Sequence, residues 1–326
     1  MKNRQKMTKL AAAVAILGSA FSGAALAADP VEVVVAYSAG GVSDLMGRNI
    51  ASYMEPALNR KMIVQNRPGA AGVIGTNFVY EAKPDGNTIL LARIATLAVA
   101  PTLQKVPYDP AGFTALGLIA TDPFACVTSA RKDFKTIDDL KNALETRPGT
   151  ITYSSSGVGS LNQFAALRLL EEMKINNPLK DAIHIPSQGE GPALTSVAGG
   201  HIDFFCGNVG PIMPQIQSGT VRALFVTSDE RIPGLEDTPT AIEAGLEGMN
   251  DIVGWSALMG PPGMKPAESQ PFIDALAEVK NNEEWQQFIR KVGSEPKILS
   301  PEDTERFVLD QQKIYNDMAE RLGIKK

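Results

Sequence analysis

The chain is 326 residues long, is 44% apolar and carries a formal net charge of −5. A chain of that length usually makes two domains with ordinary globular cores. The acidic balance argues against nucleic acid or an anionic membrane as partner, since both attract basic patches.

The N-terminus opens with a positive head, Lys2, Arg4, Lys6 and Lys9, followed by the apolar run Leu10–Gly18. That run is too short to span a bilayer. Ala25-Leu26-Ala27 then fits the small-x-small rule for signal cleavage. We expect residues 1–27 to be a cleavable export signal and the mature protein to be periplasmic. Losing the four basic leader residues takes the net charge from −5 to −9. An acidic protein still binds an anion where the site is local and built from backbone dipoles.

Beyond the leader, strands alternate with helices. Val31–Ala36, Lys61–Gln65 and Thr88–Ala92 read as short strands, with helices over 43–58 and 72–82 between them. In the first helix Met46, Ile50, Met54 and Leu58 recur every four residues and make one apolar face. Ser43 or Asp44 suits its first turn. A second set follows: strands at Ile151–Ser154, Ala182–Ile185, Ile202–Cys206 and Val221–Val226, helices at 136–145, 159–174, 189–199 and 211–217. Pro/Gly punctuation comes at 231–240 and at Gly260-Pro-Pro-Gly263, and the tail 265–322 is helical and charged. This pattern predicts an α/β protein with two parallel-rich sheets flanked by helices. Phe124–Thr128 and Ala223–Thr227 are candidate crossover strands. They suggest a discontinuous first domain, 28–124 plus 228–326, with 125–227 inserted as a second lobe, and a cleft between the two.

The two cysteines, Cys126 and Cys206, both lie in apolar strand-like runs. Export permits a disulfide. Free Cys in such runs also behaves as a small hydrophobe, so the spacing leaves both states open.

Groups suited to catalysis are sparse. His184 sits in an apolar run and His201 in a turn, and both read as structural. There is no G-x-S-x-G elbow, no P-loop, and no paired His or Cys at metal-ligand spacing. Gly157-Val-Gly159-Ser-Leu-Asn162 begins like a dinucleotide fingerprint, but Asn162 stands where the third glycine belongs. We therefore expect no catalysis, no cofactor and no metal.

What remains is a set of strand-to-helix turns rich in small residues: Ser38-Ala39-Gly40-Gly41, Ser154-Ser155-Ser156-Gly157-Val158-Gly159-Ser160, and Ser187-Gln188-Gly189. In parallel sheets ligands sit beyond the carboxyl ends of strands, where helix N-termini offer free N–H donors and partial positive charge. Gly and Ser also simply make turns. Two such turns, one per lobe, favour a small anion such as a carboxylate.

These stretches also carry a resemblance. "AYSAGGVSDLMGR" (36–48), "VQNRPGAAGVIGT" (64–76), "KPDGNTILL" (83–91), "TYSSSGVGS" (152–160), "PALTSVAGGHIDF" (192–204), "VRALFVTSDER" (221–231) and "TPTAIEAGL" (238–246) together resemble the periplasmic solute-binding proteins of tripartite tricarboxylate transporters, the Bug family. The resemblance implies a two-lobed, flytrap-like binding protein of the type II kind. It implies capture of a small organic carboxylate and delivery to the membrane permease subunits of a tripartite transporter. We expect a monomer. By position, the first-lobe clamp is Tyr37, Ser38, Ala39, Gly40, Gly41, Ser43 and Asp44, with Arg93 and Thr96 behind it. The second-lobe clamp is Ser154, Ser155, Ser156, Gly157 and Ser160, with Gln188 and Asn208 beside it.

Three departures bear on the ligand. Gly207-Asn208 stands where relatives commonly have Asp-Asn, Gln163 or its neighbours where they often have His, and Arg93 where they usually have a small or hydroxylated residue. Arg93 either lies along the cleft rim with its head in water or forks onto a ligand carboxylate. The missing Asp at Gly207 predicts a plain organic acid over an acidic amino acid with its ammonium group. Three rival readings are a sensor of the same fold that presents its loaded form to a membrane receptor, more remotely an exported enzyme acting on a small acid, and a purely structural envelope protein.

Overall fold

The computed structural model describes residues 29–321 together with Gly323 and Ile324, so the export signal expected at 1–27 lies outside the described residues. Eleven strands form two sheets. The first holds β1 (Val31–Val35), β2 (Met62–Asn66), β3 (Thr88–Arg93), β4 (Thr114–Asp122), β10 (Gly254–Gly260) and β11 (Glu295–Pro296), in the order β11-β4-β10-β3-β1-β2. The second holds β5 (Phe124–Ser129), β6 (Ile151–Ser155), β7 (Ala182–Pro186), β8 (Phe204–Asn208) and β9 (Val221–Val226), in the order β7-β6-β8-β5-β9.

The run of valines in β1 reflects burial on both faces. Val33 and Val35 pack with Met46, Ile50 and Met54 of the helix Val42–Leu58 and with Phe272 and Leu276 of the helix Pro266–Lys280. Val34 packs on the opposite side, in a cluster that includes Leu97 and the helix Pro301–Arg321 through Tyr315 and Met318. That same cluster runs on into the second lobe, where Phe164 of the helix Leu161–Glu172 meets Tyr315 edge-on at 5.2 Å between ring centroids. The C-terminal helix therefore touches both lobes.

Each sheet is parallel on one side and antiparallel on the other. β1 pairs in parallel with β2 and β3, whereas β10 runs antiparallel to β3 and β4. In the second sheet β6 pairs in parallel with β7 and β8, whereas β5 runs antiparallel to β8 and β9. β4, β10 and β11 were not expected from sequence.

The chain passes between the sheets at Pro123, between β4 and β5, and at Thr227, just after β9. These two points are tied together. Thr227 N–H donates to Phe124 O at 2.8 Å, and Phe124 N–H donates to Thr227 Oγ1 at 2.8 Å. Thr227 Oγ1 in turn donates to Ile252 O at 3.0 Å. Next to this junction Cys126 and Cys206, directly opposite each other on β5 and β8, are joined by a disulfide with Cα atoms 4.0 Å apart.

Element edges follow local chemistry. The helix Ile137–Thr146 starts where Thr136 and Asp139 form a reciprocal capping box. β8 starts at Phe204 because Asp203 is turned aside: its carboxylate accepts from Lys132 Nζ at 2.6 Å and from Thr152 N–H and Oγ1, each at 2.8 Å.

Candidate functional site

The first-lobe turn forms where β1 hands over to the helix Val42–Leu58. Gly40 takes φ +84°, a conformation that favours glycine, and Gly41 caps the helix in extended backbone. Asp44 organises the turn. Its carboxylate accepts Gly40 N–H at 2.9 Å, Asn66 Nδ2 at 3.0 Å and Arg48 Nε at 3.1 Å. The Arg48 guanidinium and the Gly40 amide hold that carboxyl below the usual carboxylate range. Asp44 is buried, Ser38, Ala39, Gly40 and Gly41 are exposed, and Ser43 is half-buried. Asp44 thus fills the positive end of its own helix.

Arg93, at the end of β3, reaches across β10. Its NH2 pairs with Asp122 Oδ2 at 2.6 Å, and NH1 donates to Ser256 Oγ. Its side chain is 16% exposed and that of Asp122 7%. Of the two places expected for its head, water at the rim and a ligand carboxylate, the first does not fit this burial: the guanidinium crosslinks β3, β10 and β4. Thr96 is buried with its hydroxyl donating to Arg93 O at 3.2 Å. Tyr37 is half-buried, and its hydroxyl is buried without a hydrogen-bond partner among the described residues. Burial pushes the Tyr37 phenol up, with the Arg93 charge pulling the other way. A Cβ on Gly72 would lie 2.7 Å from Thr96 Cγ2 and 3.1 Å from Tyr37 Oη, so these three residues are in contact.

The second-lobe turn follows β6, and its hydroxyls face inward. Ser154 Oγ donates to Ile185 O at 2.7 Å and meets Ser187 Oγ at 3.0 Å. Ser155 Oγ donates to Gly157 O at 2.9 Å and meets His184 Nε2 at 2.7 Å, while His184 Nδ1 lies 3.2 Å from Gln163 Nε2. These partners are all satisfied when neutral His184 carries its proton on Nε2, donates it to Ser155 and accepts from Gln163. Burial lowers the His184 pKa, which favours that neutral form. Gln163 Oε1 then accepts Gly159 N–H at 2.7 Å. Ser156 Oγ donates to Asn162 Oδ1 at 2.5 Å, and Ser160 caps the helix Leu161–Glu172. Gly157 supports the turn at φ +140°. The backbone N–H groups of Leu161 and Asn162, in the first helical turn, have no intrahelical acceptor.

A cavity of about 590 Å³ lies between the sheets, within the usual size range of small-molecule sites. From the second lobe it is lined by Ser156, Val158, Gly159, Ser160, Asn162, Gln163, Glu190 and Asn208, and from the first by Ala71, Ala95, Val99, Ala100, Leu103 and Gln104. Gly159 packs close on Leu103: a Cβ on the glycine would come within 2.8 Å of Leu103 Cδ1. Of the residues expected from sequence, Ser156, Ser160 and Asn208 line this cavity. Ser154, Ser155 and Gly157 support the lining turn, and Tyr37 and Thr96 contact Gly72 beside Ala71. Ser38–Gly41, Ser43, Asp44, Arg93 and Gln188 do not line it.

Sequence reasoning did not place Ala71, Asn162 or Glu190 at the site, and it raised Gln163 only as a departure from relatives. Ala70 and Ala71 both hold positive φ, 46° and 55°, between Gly69 and Gly72. Such strain in non-glycine residues tends to gather at ligand sites. Two other clefts open elsewhere. One, of about 620 Å³, is lined by Asp229, Glu230, Asp251 and Glu295 together with Arg231, Arg290 and Lys297; the other, of about 670 Å³, opens beside the outer strand β9.

Comparison with known proteins bears on the family and the fold. A family model described as "Tripartite tricarboxylate transporter family receptor" matches residues 46–324. Protein BugT of Bordetella pertussis is 28% identical over 98% of this chain and 99% of its own length. A Rhodopseudomonas palustris protein solved with adipate is 25% identical, with a TM-score of 0.74 over 91% of this chain and 98% of that one. MatC from the same species, solved with bound malate, is 25% identical, with a TM-score of 0.69 over 89% and 99% of the two chains.

Proposed function

Because this chain belongs to the tripartite tricarboxylate transporter receptor family, we propose that it captures a small organic carboxylate in the cavity between its two sheets and hands it to the permease subunits of such a transporter. The family is one of solute-binding receptors, and relatives in it are periplasmic binding proteins. On this reading the chain is exported by cleavage after Ala27, acts as a monomer in the periplasm and catalyses nothing.

One observation carries the reading: the N-terminal turn of the helix Leu161–Glu172 opens into a cleft of ligand size between the two sheets. Unpartnered N–H groups and the helix dipole there suit an anion. We assign the carboxylate contact to the Ser156–Asn162 turn, through the backbone N–H groups of Leu161 and Asn162 at the helix start. Ser154, Ser155 and Ser160 act indirectly, by fixing the turn. The lobes are 28–124 with 228–326, and 125–227. Their movement is centred on Pro123 and Thr227, a division supported by the sheet membership of the strands on either side.

The test is calorimetric titration of the purified protein with a panel of small mono- and dicarboxylic acids, with and without amino groups. The reading expects at least one ligand, returned unchanged, that stabilises the fold by ~2.7 kcal/mol at 100 times its dissociation constant. No heat and no stabilisation across the panel would sink it.

A further inference from the structure

The strand end at Gly207 has no acidic side chain, which on sequence alone favours a plain organic acid. The fold brings a carboxylate there from another element. Glu190 is the first residue of the helix Glu190–Ala198, and its side chain reaches over Gly207: a Cβ on that glycine would lie 2.4 Å from Glu190 Oε1. Any larger residue at 207 would displace it.

The groups around this carboxylate are neutral. Oε1 accepts Asn208 N–H at 2.6 Å, Asn162 Nδ2 at 3.2 Å and Asn208 Nδ2 at 3.3 Å; Oε2 accepts Asn208 Nδ2 at 3.0 Å. A carboxylate offers about four acceptor positions, two per oxygen, so Oε2 keeps one free. Glu190 is the single charged side chain among the described residues lining the cavity. Arg93, the cation that the sequence offered as a carboxylate partner, is held by Asp122.

Among the described residues lining the cavity, a purely anionic ligand would therefore meet a negative side chain with no positive one to offset it. Asn162 joins the two poles of the site, since its Oδ1 accepts the Ser156 hydroxyl and its Nδ2 donates to Glu190. An N–H-rich helix start and a carboxylate stand one side chain apart. Resting on the small-carboxylate reading above, the geometry points to a ligand that carries an ammonium group as well as a carboxylate, with the ammonium on Glu190 and the carboxylate on the Ser156–Asn162 turn. Val99, Leu103, Phe124, Val158 and Leu161 give the rest of the ligand an apolar wall.

The experiment compares matched pairs, alanine against propionate and glutamate against glutarate, by calorimetry on the wild type and on Glu190→Gln. The expected result is that the amino member of at least one pair binds about tenfold tighter or more to the wild type, as charge-assisted hydrogen bonds allow. In Glu190→Gln that ratio should fall to about one, with the des-amino partner bound as well as before or better. A thermal melt of the variant checks its fold, and the wild-type comparison stands without it. Equal or tighter binding of the des-amino acids by the wild type overturns this inference and leaves the carboxylate reading intact. A preference that survives in folded Glu190→Gln overturns the assignment to Glu190. Binding of neither class overturns both readings.

Discussion

Removing one member of the Arg93–Asp122 pair should destabilise the fold far more than it weakens ligand binding. Both side chains are largely buried, at 16% and 7% exposure, and meet at 2.6 Å. Asp122 Oδ1 also accepts the Ser294 hydroxyl at 2.6 Å. Arg93→Met leaves Asp122 charged, buried and held by that hydroxyl alone; Asp122→Leu leaves the guanidinium with Ser256 and the Met46 sulfur. Stripping one partner from a buried pair costs about 3–5 kcal/mol. For a chain of this size that corresponds to a melting-point loss on the order of 10 °C. The double variant Arg93→Met/Asp122→Leu should recover most of the loss, because no buried charge is then left alone. Urea unfolding of the three variants measures the stabilities, and calorimetry with the best ligand measures affinity alongside. Losses below ~1 kcal/mol in both single variants, the range of exposed pairs, would refute the reasoning. So would an Arg93→Met protein of full stability that no longer binds, since Arg93 would then be answering to the ligand.

Thr227→Val should cost about 1–3 kcal/mol in urea unfolding, because the buried Phe124 N–H loses its acceptor where the chain crosses between sheets; an unchanged midpoint would mean the crossovers are not tied there. Gly40→Ala should lose about 1 kcal/mol through its φ of +84°, whereas Gly41→Ala, at φ −83° and with the new Cβ 3.7 Å from Ser38 O, should stay within about 0.5 kcal/mol; equal losses at both positions would contradict the assigned turn. Because burial depresses the His184 pKa, the unfolded chain takes up the proton first as pH falls below the ordinary value of about 6.5. Stability from this group is therefore complete above that pH and is lost through the window beneath it. His184→Gln should flatten the fall in urea midpoint between about pH 7.5 and about pH 5.5, and an identical fall in the variant would count against the neutral network.

The parts of the fold that sequence revealed are those with contrast. The helix Val42–Leu58 has polar residues between Met46, Ile50 and Met54, so its buried face stands out. The apolar runs at 124–128 and 223–227 stand out from their surroundings in the same way, and they fall in β5 and at the end of β9. β10 escaped notice for the opposite reason. GWSALMG is buried at every position, so it has no alternation, and Gly260-Pro-Pro-Gly263 next to it reads as loop. β4 is similarly buried through its middle, and both strands form their pairs with segments far away in the chain. The Cys126–Cys206 bond depends on register in the same way: only the pairing of β5 with β8 sets the two residues opposite one another.

At the site, residue type was easier to read than residue partner. Serines in the 154–160 turn suggested hydroxyls aimed at a ligand, yet Ser154, Ser155 and Ser156 donate to Ile185 O, Gly157 O and Asn162 Oδ1. The direction of each hydroxyl depends on what β7 and the helix Leu161–Glu172 place nearby. Gly207 shows the same effect with charge. Its missing side chain suggested a less acidic pocket, but the space it leaves is what admits Glu190 from a helix 17 residues upstream in the chain. Once those internal bonds are made, the turn has few ways to move. His184 and Gln163 brace it from behind, and Ser160 closes the helix start. A turn already held in its binding shape loses little further freedom when the ligand arrives, so more of the contact energy appears as affinity.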